Sequence, residues 1–233
     1  MHNPIIAALD VATIEQAKGL IDQIGDQIGA FKVGMELFTT AGPDIVSHIR
    51  QSGASVFLDL KFHDIPNTVA KAVAAAVRLD IQMLTIHTHG GLAMMKGAET
   101  AAQEIAAELG RPAPLILGVS VLTSMDDEDL AQLGIRNAVG DQVQRVVTLG
   151  VEAGLRGFVC SPLEIERLRA IIPAGTKLIT PGIRTATDAK GDQKRTKSPA
   201  EALAAGADYL VIGRPIYAAP EPRAAVQKIL ASL

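Results

Sequence analysis

The sequence has no tryptophan, two tyrosines and five phenylalanines, so aromatic residues make up 3% of its 233 residues. A β-sandwich or a base-stacking nucleic-acid platform draws on more aromatic side chains than this. The core falls instead to Ala, Val, Ile and Leu, which suit a buried parallel sheet covered by helices. One cysteine, Cys160, excludes an intrachain disulfide and a multi-cysteine metal site. No sign of charge dominates either. The 22 basic and 25 acidic residues leave a formal net charge of -3, which is not the footprint of a nucleic-acid binder. The opening Met1-His2-Asn3-Pro4 lacks the basic start of a signal peptide, and the apolar stretch 5–9 stops at Asp10. No uninterrupted apolar run approaches the roughly 18 residues of a membrane span. A soluble, cytoplasmic protein with no nucleic-acid or membrane partner is expected.

What the chain does have is alternation. Short apolar runs bounded by Gly, Asp, Pro or Ser predict strands at 5–9, 31–33, 55–60, 83–87, 115–121, 157–160, 177–180 and 209–212. Amphipathic patterns at 13–24, 67–79, 92–109 and 141–153 predict helices between them. Thr13 fits an N-cap, with Gln16 as its capping-box partner. Alternating strands and helices imply parallel pairing through right-handed crossovers. Eight units of about 29 residues each match minimal βα units, so the expected fold is α/β, a single (β/α)8 TIM barrel over residues 1–233. An open doubly wound sheet is the rival. Its dinucleotide-binding form is opposed by the turn Asp10-Val11-Ala12-Thr13, which carries no G-x-G-x-x-G.

In such a barrel the active site stands at the C-terminal strand ends. Asp10, Lys32, Asp59, Lys61, His87, Thr123 and Arg214 occupy those ends here. Alternate strand residues share a face, so Ser55, Phe57, Asp59 and Lys61 should point inward, and Val56, Leu58 and Leu60 toward the helices. Asp64 follows on the loop, while Lys32 and Asp10 end other strands. The set fits a lysine held in its charged form by flanking carboxylates and used as a general acid. It fits a structural ion-pair network at the barrel rim as well.

A second cluster closes the chain. Thr180-Pro181-Gly182-Ile183-Arg184 ends the seventh strand, and Gly213-Arg214-Pro215-Ile216 ends the eighth and opens a short helix. Loops at these two places form the usual phosphate site of the fold. Backbone N–H groups at a helix start and the Arg214 guanidinium would bind a phosphate, although both glycines also suit plain turns. The polar stretch 184–197 has no apolar period and is long for a compact barrel. Beside a phosphate site it is expected to be a lid, with Gln193 reaching over the ligand. His87 and His89 share a face but have no acidic partner beside them, so no metal site is expected. His63, next to Asp64, reads as a capping or loop-bonding residue. Cys160 has no identifiable base and reads as a buried structural thiol.

Several strings taken together resemble one family over essentially the whole chain. They are Ala8-Leu9-Asp10, Lys32-Val33-Gly34, the D-x-K-x-x-D-I-P-N-T run at 59–68, Leu122-Thr123-Ser124, the run at 180–184, Gly191-Asp192-Gln193-Lys194-Arg195 and Gly213-Arg214-Pro215-Ile216. The family is that of the bacterial orotidine 5′-phosphate decarboxylases. The resemblance implies decarboxylation of orotidine 5′-phosphate to UMP, the last step of de novo pyrimidine synthesis, without metal or cofactor. It implies Lys61 as the proton donor to C6, bracketed by Asp59 and Asp64, with Lys32 completing the array and Asp59 near the departing carboxylate. Asp10 and Lys32 would contact the ribose, and Thr123 and Ser124 would face the pyrimidine. Arg184, Gln193, Gly213 and Arg214 would hold the phosphate and the lid. Asp64 and Thr68 would enter the neighbouring subunit's site, which implies a homodimer with shared active sites. Two alternatives stand beside this reading. One is a Mg²⁺-dependent sugar-phosphate decarboxylase or aldolase of the same superfamily, expected to carry a carboxylate where Lys32 stands. The other is a non-catalytic nucleotide-binding barrel.

Overall fold

Strands β1 Ile5–Ala8, β2 Ala30–Gly34, β3 Ser55–Phe62, β4 Met83–His87, β5 Leu115–Val119, β6 Gly157–Val159, β7 Lys177–Thr180 and β8 Tyr209–Ile212 pair in chain order. All the pairs are parallel, and β8 returns to β1 through Ile5–Leu210, Ile6–Val211 and Ala7–Ile212, which closes the barrel. The computed structural model describes residues 3–184 and 196–233. At least one helix lies between each strand and the next. No helix among the described residues is long and apolar enough to cross a membrane.

Two apolar layers follow from the period-2 alternation of the strands. Ile6, Ala30, Phe57, Met83, Leu117, Ile179 and Val211 pack together inside the barrel. Their chain neighbours, including Ile5, Phe31, Val56, Leu58, Leu84, Ile116, Leu178 and Ile212, face outward into the larger core beneath the helices. Helix Ile14–Ile24 shows how the outer layer is made. It buries Ala17, Leu20, Ile21 and Ile24, one stripe at helical spacing, and Thr13 and Gln16 form the expected reciprocal capping box. Helices Pro66–Val77 and Gly91–Glu108 pack directly on each other. Their approach is close enough that a methyl on Gly97 would lie 3.8 Å from the Pro66 carbonyl oxygen and 3.9 Å from Ala70 Cβ.

The strand limits at 83–87, 177–180 and 209–212 match those expected from the sequence. The expected strand at 55–60 runs on to Phe62, which carries Lys61 within the strand rather than just beyond it. At the N-terminal end of the barrel the charges are tied to the fold. Asp208 accepts from Lys177 Nζ and from the Leu178 N–H, each at 2.9 Å, and pairs with Arg169. Conserving these ties would serve stability, since the N-terminal face of the fold does not carry the chemistry.

Candidate active site

Each of four neighbouring strands changes from apolar to polar as it climbs by alternate residues toward its C-terminal end. The inward series are Ile6–Ala8–Asp10, Ala30–Lys32–Gly34, Phe57–Asp59–Lys61 and Met83–Thr85–His87. The lower members plug the barrel. Above the plug lies a cavity of about 520 Å³, with Asp10, Lys32, Asp59 and Lys61 in its wall.

Those four side chains form one alternating chain of charge. Lys32 Nζ donates to Asp10 Oδ1 at 2.8 Å and stands 3.8 Å from Asp59 Oδ2. Lys61 Nζ donates to both Asp59 oxygens at 2.9 Å. The Asp59 carboxylate is only 13% exposed and the Lys32 side chain 10%. Buried charges are tolerated when each is flanked by its opposite, and this arrangement meets that condition. Gly34 makes room for it, because a Cβ there would sit 3.2 Å from Lys32 Nζ and 3.5 Å from Asp10 Oδ1.

Lys61 is placed by an irregularity in β3. Leu58 pairs with Leu84 and Phe62 with Ile86, so β3 carries two extra residues in that interval. Lys61 takes a φ of +50°, a left-handed conformation uncommon outside glycine. The backbone thus departs from a plain extended strand at the residue whose ammonium meets Asp59, and such departures concentrate at functional sites.

The opposite wall holds the other candidates. Thr123 and Ser124 follow β5, Gly182 and Arg184 follow β7, and Gly213 and Arg214 follow β8; all six line the same cavity. Gly182 has a φ of +78°, so the turn after β7 needs a residue without a Cβ. Arg184 donates through Nη1 to the Ile183 carbonyl at 2.8 Å, while its buried Nε has no partner among the described residues. Ile183 and Lys197 form a parallel bridge, and the Arg184 N–H donates to the Lys197 carbonyl at 3.1 Å. The two ends of the stretch expected to be a lid therefore meet at the cavity edge. Residues 185–195, Gln193 with them, lie outside the described residues.

Asp64 and Thr68 are not brought into this cavity. Both are exposed, and Asp64 Oδ1 accepts from the N–H of Ile65 at 2.7 Å, just before helix Pro66–Val77. The discounted residues fall close by. Cys160 is buried as expected but lies in the cavity wall. His63 is exposed, and its ring centroid is 5.4 Å from that of half-buried His87. Burial, with repulsion from His63, His89 and Lys61, pushes the His87 imidazole down to about 4. His89 Nε2 lies 3.3 Å from Gln142 Nε2, and no cluster of three or more His, Cys, Asp or Glu is placed to hold a metal among the described residues.

Two residues were missed from sequence. Tyr217 lines the cavity from the short helix Arg214–Tyr217, four residues after Gly213. Thr85 is fully buried, and its hydroxyl bonds to both Asp59 and Lys61. The inward alternation Met83–Thr85–His87 was the available signal for it.

Comparison with known proteins places these features in context. The profile described as "Orotidine 5'-phosphate decarboxylase / HUMPS family" matches residues 3–229. A protein of Moorella thermoacetica named orotidine 5′-phosphate decarboxylase is 50% identical over 100% of this chain and 94% of its own length. One of the same name from Paramagnetospirillum magneticum is 47% identical over 100% of this chain and 99% of its own length. The crystal structure of orotidine 5′-phosphate decarboxylase from Lactobacillus acidophilus is similar with a TM-score of 0.86 at 36% identity, covering 98% of each chain.

Proposed function

This chain belongs to the orotidine 5′-phosphate decarboxylase / HUMPS family, and on that footing we propose that it converts orotidine 5′-phosphate to UMP and CO₂. The observation that carries the reading is the ion-paired sequence Asp10–Lys32–Asp59–Lys61 inside the cavity. Residues 1–233 would act as one catalytic domain. The substrate and product are soluble nucleotides, in keeping with a cytoplasmic enzyme.

Cleavage of the C6–carboxylate bond releases CO₂ and leaves the bonding pair on C6, in an orbital the pyrimidine ring delocalises poorly. Positioned charge must then lower the barrier. The Lys61 ammonium would stabilise that pair and give its proton to C6, which completes UMP; the resulting amine regains a proton from solvent. Asp59 holds Lys61 through both carboxylate oxygens, so the donor is aimed before substrate arrives. Lys32 and Asp10 continue the array toward the ribose, and Thr123 and Ser124 would face the pyrimidine. Arg184 and Arg214 would hold the 5′-phosphate beside Gly213, and Arg184 Nε, without a partner among the described residues, is a donor such an anion would satisfy. Grip on this remote group supplies binding energy that can be used in the transition state. Gln193 would reach over the phosphate. Asp64 and Thr68, exposed and outside this cavity, would complete the site of a second copy in a homodimer.

Lys32 also bears on the Mg²⁺-dependent alternative. Its ammonium sits 3.8 Å from Asp59 Oδ2, where it would repel a divalent cation bound to that carboxylate. The test is the loss of orotidylate absorbance on adding the purified chain, with and without a chelator. Turnover to UMP unaffected by chelator is expected. Activity that disappears with chelator and returns with Mg²⁺ would overturn the metal-independent reading.

A further inference from the structure

We infer that Thr85 is a positioning residue that aims Lys61 by fixing both its backbone and its carboxylate partner; the inference rests on the decarboxylase reading of this cavity. Thr85 lies in β4 between Leu84 and Ile86, with no exposed surface. Its Oγ1 accepts the Lys61 N–H at 2.9 Å and donates its own proton to Asp59 Oδ1 at 2.8 Å. Asp59 in turn accepts from Lys61 Nζ at 2.9 Å through each oxygen. The bonds close a ring: Lys61 N–H to Thr85, Thr85 to Asp59, and Asp59 to the far end of Lys61. One hydroxyl thereby ties the main chain of the lysine to the group that orients its ammonium.

The register shift between β3 and β4 explains why a side chain is needed there. In an unbroken parallel ladder the N–H of a strand residue would find a carbonyl of the neighbouring strand. Across the interval from Leu58 to Phe62 that ladder is interrupted, and Lys61 has turned to a φ of +50°. A half-buried N–H that has left its ladder needs some partner, and the Thr85 hydroxyl takes the carbonyl's place. Both bonds run through the single atom Oγ1, which a hydroxyl can provide, and the β-branch of threonine restricts χ1, which keeps that hydroxyl in place. Valine has nearly the same shape and can do neither.

The comparison is therefore Thr85→Val against Thr85→Ser, with wild type alongside. Misplacement of a reacting group by about 1 Å can cost on the order of 10²-fold in rate, so Thr85→Val should lower kcat for orotidylate by about 10- to 100-fold. UMP has already lost the carboxylate and needs no aimed proton donor, so its affinity should change by less than about threefold, well below the effect on kcat. Thr85→Ser should recover most of the rate. A kcat for Thr85→Val within about threefold of wild type, or equal losses in kcat and UMP affinity, would overturn the inference. Should Thr85→Val fail to fold, Thr85→Ala carries the same comparison. Absence of turnover in wild type would instead remove the decarboxylase reading. Positioning is then decided by the crystal structure of the Thr85 variant: Lys61 should leave its left-handed conformation or its bonds to Asp59. An unmoved Lys61 would overturn the inference whatever the substrate.

Discussion

Thr85 and His87 stand two residues apart on one strand, and each meets Lys61 in a different way. Thr85 bonds to it, whereas His87 adds repulsion without a bond and is itself kept uncharged. The desolvation that lowers His87 to about 4 has a consequence for stability. An unfolded histidine titrates near 6.5, so below that pH the unfolded chain takes up a proton that the folded chain refuses. Folded stability should fall as the pH drops from about 6.5 toward 4, and His87 should add no further loss below that. His89, lowered in the same direction mainly by burial, adds to the slope. Melting temperatures of wild type and His87→Gln measured between pH 7 and pH 4 should show the shallower decline in the variant. Identical slopes would mean that His87 is not held neutral by the fold.

At the scale of the element, β3 marks where reading the sequence succeeds and where it stops. Alternation alone places Phe57, Asp59 and Lys61 inward and Val56 and Leu58 outward, and the two apolar layers follow that division. A separate sign marked Asp10 and Lys32, because an apolar strand ending in charge is visible without its neighbours. The bulge at Lys61 was not visible, since it depends on how β3 registers against β4, a pairing between distant residues. Thr85 was passed over for a related reason: one small polar residue in an apolar strand carries no sign of the two bonds it will make. Helices such as Met35–Ala41, Asp127–Gln132 and Ile165–Arg169 are too short for a helical period to stand out. Thr68 came from resemblance alone and Asp64 from resemblance together with its place on the loop after Lys61, and the geometry of one chain leaves both outside its cavity.

At the scale of the whole molecule, the barrel turns a closed sheet into a directional device: an apolar plug below, charge and a cavity above. If Asp64 completes a neighbour's site, two inactive variants should rescue each other. In a mixed dimer of Lys61→Ala and Asp64→Ala, one site collects both defects and the other is intact. Random exchange makes about half the dimers mixed, so about one quarter of all sites should be native. No recovered activity, with subunit exchange shown independently, would confine Asp64 to its own chain. The most direct test of the chemistry itself is kcat for orotidylate in Lys61→Ala, with UMP affinity measured on the same preparation. Loss of a general acid alone costs about 10²–10⁴-fold, and Lys61 also supplies electrostatic stabilisation, so kcat should fall by more than about 10⁴-fold while UMP still binds. A variant that binds UMP and turns over orotidylate within about tenfold of wild type would contradict the assignment of Lys61 as the proton donor.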